Sequence, residues 1–169
     1  MVFMSLEAFQ IDLLTPADTA RALAFFGYEG EDAAALRAGL AGGTWIVLMA
    51  VDEGQDIGGL YLNAAPKYQV YRRMNLPELQ DLRVLPGHRR KGIGEALVRA
   101  GEELVKTAGL TGVGVSVGLT ARYGAAQRLY ARLGYTPDGN GVTYNRDPVN
   151  HGETRAIDDD LTLMMVKFF

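Results

Sequence analysis

Apolar positions along the chain change their spacing several times, and each change marks an element. Residues 9–14 alternate in part with period two and predict a first strand. Thr15-Pro16-Ala17-Asp18 reads as a helix start, with Thr15 as cap and Pro16 in the first helical position, where its missing N–H costs nothing. That helix is predicted to run to Phe26 and stop at Gly27, and a second, Ala-rich helix to cover 31–40 before Gly42-Gly43. Residues 45–51 are a continuous apolar run rich in β-formers, and 57–62 are another. The polar turn 52–56 joins them into a hairpin. Residues 64–76 fit no period and are left open between a loop and an irregular insertion. A strand over 79–85 and a helix over 92–108 follow. In that helix Ile93, Ala96, Leu97, Ala100 and Leu104 form one face, while Glu95, Arg99, Glu102, Glu103 and Lys106 fill the rest. Gly101 interrupts it at a cost of about 1 kcal/mol against Ala, and is read as a point of close packing.

The strand 112–117 carries alternate glycines, which implies that something lies close against one of its faces. The last helix is predicted over 123–133, with Ala126, Leu129, Tyr130 and Leu133 on one face and Gly134 just past its end. Strands over 141–145 and 161–168 close the chain, with a polar loop between them. The order is strand, two helices, three strands, helix, strand, helix, two strands. It predicts an α/β (α+β) fold, a mixed sheet with helices on its faces.

Composition narrows the chemistry. At 169 residues the chain is expected to be a single domain, 1–169. It contains no cysteine, which removes disulfides, thiolate nucleophiles and cysteine-based zinc sites together. Its two histidines, His88 and His151, are too few for an imidazole-rich metal centre, so no metal is expected. Both are read as surface residues. The formal charge of −3 argues against general nucleic-acid binding. No leader-like pattern and no 18-residue apolar stretch is found, so no membrane association is expected and a cytoplasmic location is the default.

One junction concentrates the remaining signal. Between the strand 79–85 and the helix 92–108 lie Arg89, Arg90 and Lys91, then Gly92-Ile93-Gly94. Glycines allow a ligand close to the backbone. A helix start offers free N–H groups and the positive end of its dipole, so the junction reads as a pyrophosphate seat. It is not a Walker loop, because Gly94 is followed by Glu95-Ala96 rather than Lys-Ser/Thr. Nor is it a dinucleotide fingerprint, because Leu97 stands at the third glycine and no carboxylate ends the next strand, within 114–120.

The segment Arg89-Arg90-Lys91-Gly92-Ile93-Gly94 does match the Arg/Gln-x-x-Gly-x-Gly/Ala loop, and it resembles the acyl-coenzyme A site of the GNAT N-acetyltransferase superfamily. The preceding Asp81-Leu82-Arg83-Val84-Leu85-Pro86-Gly87-His88 is similar to the family's strand at this site. Ala126-Gln127-Arg128-Leu129-Tyr130-Ala131-Arg132-Leu133-Gly134-Tyr135 is similar to its second conserved-pattern block, at a normal distance downstream. The resemblance implies a mostly antiparallel central sheet with helices on both faces, and acyl-CoA bound where the central strands splay apart. It also implies an acetyl-CoA-dependent N-acetyltransferase.

It further implies roles for particular residues. The backbone of Leu82, Arg83 and Val84 should hold the pantetheine arm and the acetyl carbonyl. The N–H groups of Arg89, Arg90, Lys91, Gly92, Ile93 and Gly94 should wrap the pyrophosphate. Tyr130 matches the tyrosine that protonates the leaving thiolate, and its plain alternative is a core tyrosine. Glu78, six residues before Val84, is chosen as the general base; its plain alternative is an exposed strand-end carboxylate. Asp81 and a water chain remain the other candidates for the base. A bulge between Asp81 and Val84 would alter which side chains share a face. Tyr123 stands where many members carry an asparagine that contacts the pantetheine arm, which puts that contact in doubt. The family's acceptor pocket corresponds to residues 25–30, 64–76 and 146–160, and the last of these is acidic at Glu153, Asp158, Asp159 and Asp160. The expected acceptor is a primary amine, a small molecule in preference to a protein. A homodimer is left open, and so is a non-catalytic acyl-CoA-binding module.

Overall fold

The structure is a computed structural model that describes residues 1–5 and 8–169. In chain order these form β1 (Val2–Ser5), β2 (Gln10–Leu13), α1 (Thr19–Phe26), α2 (Gly30–Ala41), β3 (Trp45–Asp52), β4 (Gln55–Asn63), α3 (Gln69–Met74) and β5 (Glu78–Val84). They continue with α4 (Ile93–Thr107), β6 (Gly112–Gly118), α5 (Gly124–Arg132), β7 (Thr136–Tyr144), β8 (Asp147–Pro148) and β9 (Leu161–Phe168). The fold is mixed α/β with mostly antiparallel strands. The chain divides into two compact units. One is Met1–Ala64 with Leu79–Leu104; the other is Ala65–Glu78 with Val105–Phe169.

In the first unit the strands lie in chain order, β1 to β5. The run in β3 is continuous because both of its faces are covered, as such runs generally are. Val47, Met49 and Val51 pack with Ala22, Phe26, Leu36 and Leu40 of α1 and α2. Leu48 and Ala50 point the other way and are also fully buried. Adjacent glycines on β4 show what lies on each side. A Cβ on Gly59 would sit 2.9 Å from Phe25 of α1, and one on Gly58 2.9 Å from Ile93 of α4. Two glycines therefore let a helix approach each face of the sheet. Gly101 of α4 meets Leu79 of β5 in the same way, with 2.5 Å between a would-be Cβ and Leu79 Cδ2, so the close packing read from the sequence is present.

The second unit orders its strands β6, β9, β7, β8. The neighbour implied by the alternate glycines of β6 is Tyr71 of α3, whose ring would lie 2.2 Å from a Cβ on Gly114. Tyr71 is wholly buried, and its hydroxyl lies 2.7 Å from the Met165 carbonyl and 3.0 Å from that of Val115, donating to one of them at a time.

Several elements differ from expectation. Residues 64–76 are not a loop throughout: they contain α3, whose six residues are too few to display a helical period. The strand expected at 141–145 is β7, which begins at Thr136. Its register shifts between Pro137 and Val142, and Gly139 and Gly141 inside that bulge hide it from a pattern search. β1 and the two-residue β8 were not anticipated. Thr15 caps a 3-10 turn over Pro16–Asp18, and α1 proper starts at Thr19. Glu102, expected on the solvent face of α4, is 3% exposed, because the buried stripe of that helix also takes in Val98, Gly101 and Val105.

Candidate active site

Three features build the junction between β5 and α4. Pro86 cannot donate to a ladder, and the last strand-like bond runs from Leu85 N–H to the Ile57 carbonyl at 2.9 Å. A 3-10 turn over Pro86–His88 follows, with its own bond from His88 N–H to the Leu85 carbonyl. The chain then takes positive φ at Arg90 (64°) and at Gly92 (80°), and α4 begins at Ile93, which is 2% exposed. The first helical bond is Ala96 N–H to the Gly92 carbonyl, 2.9 Å. The N–H groups of the first turn therefore have no acceptor within the helix. Arg89, Arg90 and Lys91 are all exposed beside them. Arg89 Nε donates to the Val84 carbonyl at 3.0 Å, which ties the loop to the end of the strand and uses one of five guanidinium N–H groups. Glu95, the acid in the first turn, is paired with Arg99 at 2.9 Å. Together these features form a cationic seat for an anion at a helix start. His88 is half-buried in this otherwise exposed loop, and His151 is exposed.

The middle of β5 is kinked. Asp81 has φ +50°, the bulge position that upsets simple alternation along the strand. Its carboxylate accepts from Arg83 at 2.7 Å through both oxygens, and from the Tyr28 hydroxyl. Arg83 in turn donates to the Phe26 carbonyl at 2.6 Å and lies over the rings of Phe26 and Tyr28. Its bonds to Asp81 raise the Arg83 pKa. Burial, then neighbouring Tyr61 and Asp81, push the Tyr28 hydroxyl up, so it remains a donor. Asp81, the second candidate for the base, is thus committed to a cation and a phenol.

Glu78, at the start of β5, belongs to the second unit and is 0% exposed. It is not the solvated strand-end carboxylate of the plain reading. Arg146 reaches it from the turn between β7 and β8, with Nη2 at 3.1 Å from Oε1 and Nε at 3.3 Å from both oxygens. The same Nη2 lies 3.3 Å from Ser116 Oγ on β6. Nearby, Tyr71 has its pKa raised by burial first and by the Glu78 charge second. Tyr71 and Arg146 fall in the segments 64–76 and 146–160 read as acceptor pocket, but neither they nor Ser116 was singled out from the sequence. A pairing across 68 positions has no local signal.

Tyr130 of α5 is 5% exposed and meets Tyr135 edge-on, with ring centroids 5.5 Å apart. Tyr123 precedes α5 as a half-buried residue, its ring set against Gly118, where a Cβ would be 2.2 Å away. Gln127 of the same helix donates to the Gly118 carbonyl at 2.7 Å. The structure thus groups the candidates in two sets. Leu82, Arg83, Val84 and 89–94 lie in the first unit, while Glu78, Tyr123 and Tyr130 lie in the second.

A family model described as an acetyltransferase (GNAT) domain matches residues 43–137, more than half of the chain. The protein belongs to the GNAT acetyltransferase family. The matched stretch includes the catalytic and coenzyme-binding residues predicted from the sequence and ends before Arg146. Solved structures agree on the fold of this GNAT protein. One is the IAA acetyltransferase of Bacillus cereus, 17% identical, with a TM-score of 0.68, covering 96% of this chain and 100% of that one. The Salmonella typhimurium protein yncA, solved with its cofactor acetyl-CoA, is 18% identical with a TM-score of 0.65, covering 95% and 93%. The ribosomal-protein-S18-alanine N-acetyltransferase of Escherichia coli is 16% identical with a TM-score of 0.66, covering 94% and 92%. Among curated proteins no sequence match is found. Among the described residues, no helix is long and apolar enough to cross a membrane.

Proposed function

We propose that this GNAT acetyltransferase moves the acetyl group of acetyl-CoA to a primary amine by direct attack, with residues 1–169 acting as one catalytic domain. The reading takes a small-molecule amine as the acceptor in preference to a protein. The observation that carries it is the junction of β5 and α4. Exposed Arg89, Arg90 and Lys91, with left-handed backbone at Arg90 and Gly92, stand before an α-helix whose first N–H groups lack helical acceptors. That arrangement suits the pyrophosphate of coenzyme A. The backbone of Leu82, Arg83 and Val84 is assigned to the pantetheine arm, with Tyr123 beside the same arm.

The chemistry needs few groups. An alkyl ammonium near pKa 10 must lose a proton before its nitrogen can attack. Glu78 is assigned to take that proton. The amine lone pair then forms the new bond to the thioester carbonyl carbon, the C–S bond breaks, Tyr130 is assigned to protonate the departing thiolate, and the second proton, shed by the acylated nitrogen, restores the Tyr130 phenol. No covalent enzyme intermediate is required. The relatives with solved structures act on unlike acceptors, so the amine preference is tested directly. Free thiol released from acetyl-CoA is measured across alkyl amines, aminoglycosides and peptides. Turnover on small amines above peptides is expected. Tight coenzyme binding without turnover on any of them points instead to a binding module. Tyr130→Phe is expected to lower kcat about tenfold, less than the full share of a general acid because solvent substitutes in part. It should leave the Kd for acetyl-CoA unchanged, and an unchanged kcat removes Tyr130 from the acid role.

A further inference from the structure

We infer that Arg146 is the positioning residue of the base: from the β7–β8 turn it supplies the counter-charge of Glu78 and fixes both carboxylate oxygens. The inference rests on the assignment of Glu78 as base and extends it to a residue beyond the family-matched stretch. Three observations meet here. Glu78 is wholly buried while its partner's side chain is 27% exposed, so the pair spans the boundary between interior and solvent. The guanidinium touches both oxygens and also Ser116, which leaves Glu78 little freedom to rotate. Arg146 is also held in an unusual backbone state. Asn145 (φ 49°) and Arg146 (φ 66°) form a two-residue hairpin turn between Tyr144 and Asp147, which pair across it. Both positions require positive φ, and glycine or asparagine is the usual choice there. An arginine persists in that conformation only where its surroundings over-determine it, and such residues cluster at functional sites. The gain here is the bond to Glu78.

A carboxylate taken wholly out of water needs a partner, or it becomes neutral. A neutral carboxyl cannot accept the acceptor's proton. The titratable groups near Glu78 include Arg146 from the turn and Tyr71 from α3. The Tyr71 hydroxyl is engaged with backbone carbonyls. Ser116 bonds to the same guanidinium. Arg146 is the cation paired with Glu78.

The test compares Arg146→Gln, Arg146→Lys, Glu78→Gln and the double variant Arg146→Gln/Glu78→Gln, in thiol release with the best amine of the panel and in thermal unfolding from pH 5 to 9. Removing the cation favours the protonated carboxyl, so the acid limb of kcat/KM is expected to move to higher pH. The loss in Arg146→Gln should therefore be largest at the acid end of the range and shrink toward the wild-type rate at higher pH. Arg146→Lys should restore part of the limb, and KM for acetyl-CoA should not change. In unfolding, the double variant should be more stable than Arg146→Gln alone, because it strands no charge. A uniform loss at every pH, or a double variant no more stable than Arg146→Gln, overturns the inference. Wild-type activity in Glu78→Gln, with the pair still coupled in unfolding, removes Glu78 from catalysis and leaves Arg146 a structural partner.

Discussion

The two ends of β5 carry charge in opposite ways. Past its end, Arg89, Arg90 and Lys91 follow one another in sequence and stand exposed at the start of α4. At its beginning, Glu78 is buried, and its cation arrives from Arg146, 68 residues later. Exposed charges beside a helix start attract an anion at little desolvation cost, and their effect is screened by salt. A buried pair contributes little net stability, but it fixes geometry and is costly to break on one side. One end thus suits recognition of a phosphate-bearing substrate, and the other suits a proton acceptor held at a fixed position. Asp81, between them, is a third case. Its partner Arg83 is two residues away, and both are partly exposed.

The comparison can be broken at the buried end first. Glu78→Gln is expected to lower kcat about 100-fold or more, the usual share of a general base, and to leave the Kd for acetyl-CoA within about twofold. Steady-state kinetics with one amine checks it. Packing beside that end comes next. Gly114→Ala puts a methyl group where the Tyr71 ring lies, and should cost about 1–3 kcal/mol in urea unfolding. Gly87→Ala in the exposed loop meets nothing within 4 Å and should stay within about 0.5 kcal/mol of wild type. Equal losses in the two variants remove the contrast between a packed and an open end. At the exposed end, Arg90→Glu/Lys91→Glu should raise KM for acetyl-CoA about tenfold at low salt, and the gap should shrink at high ionic strength.

The smallest effect belongs to an exposed and wholly local pair. The Asp18 carboxyl accepts from the Thr15 backbone N–H at 2.8 Å, and this chiefly holds its pKa below the usual 3.8. A carboxyl with a lowered folded pKa stabilises fully above its unfolded value and loses that contribution as pH falls through the folded one. Asp18→Asn should therefore cost about 0.5–1 kcal/mol near pH 7. The difference should close below pH 3.8, as thermal unfolding at the two pH values would register.

What the sequence revealed follows the same division. β3, the β3–β4 hairpin, α4 and the cationic loop were legible because their signals lie within one element or one turn. Gly101 and the glycines of β6 signalled close neighbours, yet not that these were Leu79 and Tyr71. α3 was too short to show its period, and β7 hid behind Pro137, Gly139 and Gly141. The burial of Glu78 was missed for a physical reason. A carboxylate after Pro77 reads as solvated unless its cation is visible, and Arg146 stands in a turn with no glycine to announce it. Asn145, which tolerates left-handed backbone, was the one local hint of that turn.

The proposed function assigns coenzyme recognition to Arg90 and Lys91 and proton transfer to Glu78. Calorimetric titration of acetyl-CoA into the wild type, Arg90→Glu/Lys91→Glu and Glu78→Gln tests it most directly. The account predicts binding by the wild type, a Kd about tenfold weaker in the loop variant, and a Kd unchanged in Glu78→Gln. No binding by the wild type, or equal Kd values for wild type and loop variant, would contradict it.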